Sequence, residues 1–138
     1  ISYTSSAMRE AAIARYRRTE GAVIVAPSLD RGVDFKGDDC RVQIIAKVPY
    51  PYLGDKQIKA RMNLEDGQQW YTVRTIRDLV QMTGRGVRSE TDYCTTYILD
   101  RGFGRLFDMN KRLIPAWWRE AVNQRFNSRP LKAKLEVQ

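Results

Sequence analysis

Histidine is absent from this sequence of 138 residues, and cysteine occurs only as Cys40 and Cys94. Two thiols so far apart, with no CxxC spacing and no imidazole, complete neither a zinc site nor an iron-sulfur cluster, so no metal site is expected. Both cysteines are expected to pack as small apolar groups in a reducing compartment. No run approaches the roughly 20 apolar residues of a membrane span, and Ile1 to Arg18 lacks the layout of a signal peptide. These absences predict a soluble, cytoplasmic protein with no membrane partner. The sequence starts on Ile1 rather than Met, and Ser2 to Thr4 reads like the end of a strand already under way, so a piece of something longer is expected.

Acidic residues are the other shortage. Twenty-four Lys and Arg stand against 16 Asp and Glu, a net charge of +8. Such an excess attracts polyanions and releases their condensed counterions, which favours a nucleic acid partner, although the same balance can serve solubility alone. With 43% hydrophobic residues the chain can bury one core but not two independent ones, and it reads as a single domain over 1–138.

Periodicity supplies the outline. A helix is predicted from about Ala7 to Arg18, capped by Ser5 or Ser6 and stopped by Gly21. Ala22 to Ala26 is short, wholly apolar and β-branched, which predicts a strand buried on both faces of a parallel sheet. Val42 to Val48 is a second such run, and Tyr93 to Leu99 a third strand. Between them lie the break at Pro49-Tyr50-Pro51, a polar stretch from Asp55 to Gln69 with one short helix, and a helix from Trp70 to Met82. Short helices are predicted around Arg105 to Met109 and from Ala116 to Phe126, the latter opened by Pro115. Strands alternating with helices predict an α/β fold, a mostly parallel sheet flanked by helices, with ligands outside the carboxyl ends of the strands.

Two segments are rich in the wrong residue types for mere connection. In Pro27 to Phe35, Ser28 offers a hydroxyl, Gly32 lets backbone N–H groups approach a phosphate, and Asp34 can hold a hydroxyl, a water or an arginine. Alone, this segment reads more readily as an ordinary turn. In Gln81-Met82-Thr83-Gly84-Arg85-Gly86-Val87-Arg88, an amide and two guanidinium groups emerge at spacings of four and three, sharing one face if the helical turn continues. Guanidinium forks suit the charge that develops on a transferring phosphoryl group. Lys56, Lys59 and Arg61 follow Tyr50 and Tyr52, a basic stretch with nearby rings that suits a single strand, although the residues alone favour a solvated helix face.

Taken together, "SLDRGVDFKGDDCRVQIIAKVPYPYLGD" and "QMTGRGVRSETDYCTTYILDRGF" resemble motifs V and VI of the DinG/XPD-like branch of superfamily 2 helicases. The resemblance runs from about Tyr3 to Phe107, with "SYTSS" similar to the region around motif IV. It implies a RecA-like second motor lobe lacking an N-terminal portion, from the motif IV-like region to motif VI plus C-terminal helices. Gln81, Arg85 and Arg88 match QxxGRxxR, with Gly84 inside it. The resemblance makes Arg88 the arginine finger and Arg85 its companion. Gly32 and Asp34 match the GxD of motif V, which couples the nucleotide cleft to the strand track, and Ser28 matches a position that meets a nucleic acid phosphate. Arg31 departs from the family, which commonly has an acidic residue just before the GxD glycine.

Neither a GxxxxGK[ST] phosphate loop nor a DExH-type box occurs in the sequence. The resemblance therefore implies that ATP and Mg2+ are held mainly by an N-terminal lobe of the same parent chain, and that these residues alone do not hydrolyse ATP. Single-stranded nucleic acid, DNA by resemblance, is the expected partner. The alternative is a basic nucleic-acid-binding module without nucleotide-dependent activity, in which Arg88 matters no more than Lys59.

Overall fold

The computed structural model describes residues 1–26, 33, 35, 37–87 and 92–122. Helix α1, Ser6–Arg18, follows an extended Ser5 and carries Arg15, Arg17 and Arg18 in its last turn, where cations meet the negative end of the helix dipole. Ala12 and Ile13 are buried and Tyr16 half-buried, so one face of α1 packs while its arginines point outward. Gly21, at a φ of 67°, turns the chain in the left-handed region that glycine enters without a Cβ penalty.

A 3-10 turn at Gly37–Asp39 leads into strand β1, Val42–Ile45. Two helices follow, α2 (Lys56–Met62) and α3 (Gly67–Thr83), then a 3-10 turn at Gly84–Gly86 and strand β2, Thr95–Ile98. Helices α4 (Gly102–Met109) and α5 (Ala116–Ala121) complete the described elements. β1 and β2 pair in parallel, Val42 opposite Thr95 through Ile45 opposite Ile98. Parallel neighbours need a long crossover, and α2 and α3 provide it. Asp55 starts α2 by accepting from the backbone N–H groups of Gln57 at 2.7 Å and Ile58 at 3.3 Å. The mixed α/β architecture with a parallel pair and flanking helices is the one the sequence predicts, that of a partial RecA-like domain.

Ile45 and Val48 meet Ile76 and Leu79 of α3, Leu106 and Phe107 of α4, Ile114, and Trp118 of α5 in the main core. A smaller cluster joins Ile13 of α1 to Val33 and Phe35, with Tyr16, Ile24 and Cys40 against it. Tyr16 fixes this docking, its hydroxyl donating to the Asp39 carbonyl at 2.6 Å, beside an Arg17–Asp39 ion pair at 3.0 Å.

Three expectations change. The strands are buried on one face rather than both: Val42 and Ile44 remain 60% and 63% exposed, while Ile45 in the alternate register is 3% exposed. Side chains alternate across a strand, and among the described residues helices cover only the Ile45 face. Ala22 to Ala26 forms a single parallel bridge, Val25 to Ser2, instead of a full strand. Val23 and Val25 face outward, because only Ile24 of this run reaches the α1 cluster. Finally, α5 stops at Ala121, since Val122 is extended (φ −80°, ψ 114°), short of the predicted Phe126. By contrast α4 starts early, at Gly102, whose N–H is held by the Asp100 carboxylate at 2.9 Å.

Candidate functional site

The last turn of α3 carries the residues on which the functional reading turns. A helix ends with carbonyls that lack intrahelical donors, and here they are supplied from three directions. The Gly84 N–H points at the Val80 and Met82 carbonyls. The Thr83 hydroxyl donates to Val80 O at 2.9 Å and accepts from the Trp118 indole N–H at 2.7 Å. From β1, the Gln43 amide donates to Met82 O at 3.0 Å, while its oxygen faces the Thr96 hydroxyl at 3.5 Å.

Beyond this end, Gly84–Gly86 makes a 3-10 turn and Val87 is extended (φ −126°, ψ 120°). Gly86 is buried against the cysteine pair: a Cβ there would lie 2.5 Å from both Cβ and Sγ of Cys94 and 3.2 Å from the Cys40 carbonyl. The two thiols are 3.6 Å apart. Burial, reinforced by the neighbouring Cys94, pushes the Cys40 thiol up to about 12, so it stays protonated at neutral pH. Arg41 then clasps the approach to β2, donating to Asp92 at 2.6 Å and to the Tyr93 carbonyl at 3.0 Å, with its guanidinium 4.4 Å from the centre of the Tyr93 ring.

Cys40 and Cys94 precede β1 and β2, so the Gly84–Gly86 segment sits at the amino ends of the strands, not at the carboxyl ends where ligands were expected. The reason is topological. α3 returns from the carboxyl end of β1 and must end where β2 begins. At the opposite end of the sheet, Asp100 ties Val48 N–H (3.0 Å) to Gly102 N–H. Those two amides, ahead of desolvation, hold its carboxyl below the usual range.

Gln81 is exposed on the final turn of α3, and Arg85 is half-buried on the 3-10 turn four residues later, with open space around Gly84. The helical path closes at Gly86, so the shared-face argument covers Gln81 and Arg85 and does not extend through the extended Val87. Arg88, Ser28, Gly32, Arg31 and Asp34 lie outside the described residues. Val33 and Phe35, on either side of Asp34, are buried in the α1 cluster.

On α2, Lys56 and Lys59 are exposed, three residues apart on one face. Arg61 is committed elsewhere: it forms a two-pronged pair with Asp66 at 2.5 and 2.6 Å and lies 5.2 Å from the Trp70 ring centre. The Arg61 guanidinium holds the Asp66 carboxyl below its ordinary value. Tyr50 stacks on Tyr71 (centroids 6.1 Å apart, planes 12° off parallel), while Tyr52 is exposed. Among the described residues no group of three or more His, Cys, Asp or Glu gathers into a metal-binding cluster. No described helix is long and apolar enough to cross a membrane.

Sequence reasoning gave no role to Gln43, Thr83 or Asp100, and of the adjacent Trp117 and Trp118 it expected at least one in the core and neither in the site. Gln43 was visible as a lone amide in an apolar strand, a residue type that needs a partner there. The others carried no local signal.

Comparison with known proteins accords with this arrangement. The family described as the helicase C-terminal domain matches residues 1–121. A Fanconi anemia group J protein homolog from Gallus gallus is 26% identical over 123 residues, covering 78% of this chain and 10% of that protein. The Caenorhabditis elegans homolog of regulator of telomere elongation helicase 1 is 25% identical over 141 residues, 86% of this chain and 14% of that protein. Its Drosophila persimilis counterpart is 30% identical over 128 residues, 83% of this chain and 12% of the relative. The chain thus spans a small part, from 10% to 14%, of the length of these relatives. The matched family, relatives and motifs together place this chain in the helicase C-terminal domain family, within the DinG/XPD-like helicases of superfamily 2.

Proposed function

We propose that this chain is the C-terminal motor lobe of an ATP-dependent DNA helicase and completes, across a cleft, a nucleotide site whose ATP and Mg2+ are held mainly by an N-terminal lobe of the parent. The observation that carries the reading is the Gly84–Arg85–Gly86 turn, set between a helix end tied down by Gln43 and Trp118 and a glycine wedged against Cys94. A guanidinium on so fixed a mount costs little reorganisation when charge develops on a γ-phosphoryl group. Arg88 serves as the finger, Arg85 and Gln81 as its companions, and Gly32 and Asp34 link the cleft to the nucleic acid. Ser28, Lys56 and Lys59 contact the phosphates of a single strand. Arg61, already engaged by Asp66, contributes least. The chain by itself does not turn over ATP.

The test is single-strand-stimulated ATP hydrolysis by the full-length parent, wild type against Arg88→Ala and Arg85→Ala, with nucleotide binding measured in parallel. Arg88→Ala is expected to lower turnover by roughly a thousandfold while ATP still binds. Unchanged turnover sinks the finger assignment. Absence of any stimulated hydrolysis in wild type favours the binding-module reading, with affinity for a single strand falling as log K by about −0.7 per phosphate contact with log salt.

A further inference from the structure

Gln43 lies on the core-facing side of β1, in register with Ile45, where an unpartnered amide is expensive. Its N–H reaches the Met82 carbonyl, three residues before Arg85. Trp118, buried in the main core, reaches the same helix end through Thr83, two residues before Arg85. The Thr83 hydroxyl works as a relay, accepting from the indole and donating to Val80 O. Two elements distant in sequence, β1 and α5, therefore hold the point at which α3 hands over to the arginine-bearing turn. Trp118 also packs in the main core against Phe103 and Phe107, so its replacement removes ring contacts as well as the indole N–H.

We propose that Gln43 and the Trp118–Thr83 pair are positioning residues that aim Arg85 at the nucleotide cleft. The inference rests on the motor-lobe reading above. Without the tethers the Met82 carbonyl keeps only the Gly84 N–H and Thr83 loses its link to α5, the final turn loosens, and the guanidinium leaves its productive geometry, where displacements of about 1 Å cost up to a hundredfold in rate.

The experiment uses the full-length parent and compares Gln43→Met, Thr83→Val, Thr83→Ser, Trp118→Phe and Arg85→Ala in single-strand-stimulated ATP turnover, ATP binding and thermal unfolding. Gln43→Met and Thr83→Val are expected to lower kcat roughly tenfold or more, with KM for ATP changed less than about twofold and the unfolding midpoint within a few degrees, while Trp118→Phe lowers kcat as far and, having lost core packing, also lowers the midpoint. Thr83→Ser keeps the hydroxyl and is expected to retain turnover. Thr83→Val and Trp118→Phe share the loss of the indole–hydroxyl bond, so the double variant is expected to fall by less than the product of the two single effects. If Arg85→Ala collapses turnover while the tether variants match wild type, the positioning role is wrong and the motor reading stands. If kcat falls only in step with lost folded protein, or Thr83→Ser falls as far as Thr83→Val, the role is merely structural and the inference is overturned. If Arg85→Ala leaves turnover intact, Arg85 has no part in hydrolysis and this inference is overturned, whereas wild type without any stimulated hydrolysis puts the motor reading itself at fault.

Discussion

The two hydrophobic clusters of this molecule are closed in different ways. The main core is assembled from both strands' inner face and three helices, and its central Leu79 is 2% exposed. The amino-terminal cluster rests on one helix, α1, against Val33, Phe35 and a run that makes a single strand bridge. What holds α1 is a tyrosine hydroxyl, an exposed ion pair and a few apolar contacts. Exposed ion pairs contribute little, so the difference in stability must come from packing. The Gly84–Gly86 turn is mounted on the side of the main core, through Gln43, Trp118 and Cys94. Val33 and Phe35, the neighbours of Asp34 in sequence, are buried in the amino-terminal cluster.

Substitutions in the two clusters can break this contrast. Leu79→Ala opens a cavity where α3 meets the sheet and is expected to destabilise the chain by about 3 to 5 kcal/mol, measured by urea unfolding. Gly86→Ala forces a methyl to within 2.5 Å of the Cys94 side chain and is expected to cost about 2 to 3 kcal/mol while also displacing Arg85. Ile13→Ala in the smaller cluster is expected to cost about 2 kcal/mol, at the low end for such a truncation, and to raise amide exchange in α1 without raising it in α3. An Ile13→Ala loss equal to that of Leu79→Ala would erase the distinction between the clusters.

Acid sharpens the same contrast with a smaller effect. Asp100, whose folded-state carboxyl is held low by two backbone amides, contributes stability that is present above its unfolded value of about 3.9 and is lost as pH falls through the lower folded value. Wild type is therefore expected to lose stability below about pH 4, and Asp100→Asn to be weaker at neutral pH but less sensitive to acid. Equal slopes for the two proteins in urea midpoints measured against pH would remove Asp100 from this role.

Much of the fold was legible because it is periodic. The spacing of Val73, Ile76, Leu79 and Val80 marks α3 within a few residues of its bounds, and the apolar runs around β1 and β2 mark the parallel pair. Where the reading slipped, the cause was a property that a short apolar run does not encode. Ala22 to Ala26 has the composition of a buried strand, yet Val23 and Val25 meet no covering layer among the described residues. The arginine-rich segment stood out in the sequence, since an arginine flanked by two glycines, with a second arginine three residues on, is an unusual combination. Its position at the amino ends of the strands followed only from the return path of α3.

The sequence by itself determined the residue types that can do chemistry here, the absence of a phosphate loop, and the motif pairing that leads to the helicase C-terminal domain family. Those properties are local, written in single residues and short spacings. Only the tertiary structure decided that Arg61 is spent on Asp66, that Gly86 has no room for a side chain, and that Gln43 and Trp118 converge on the end of α3. Each of these joins groups brought together by packing, and hydrogen bonds and close contacts are set by distances in space that no periodicity along the chain reports.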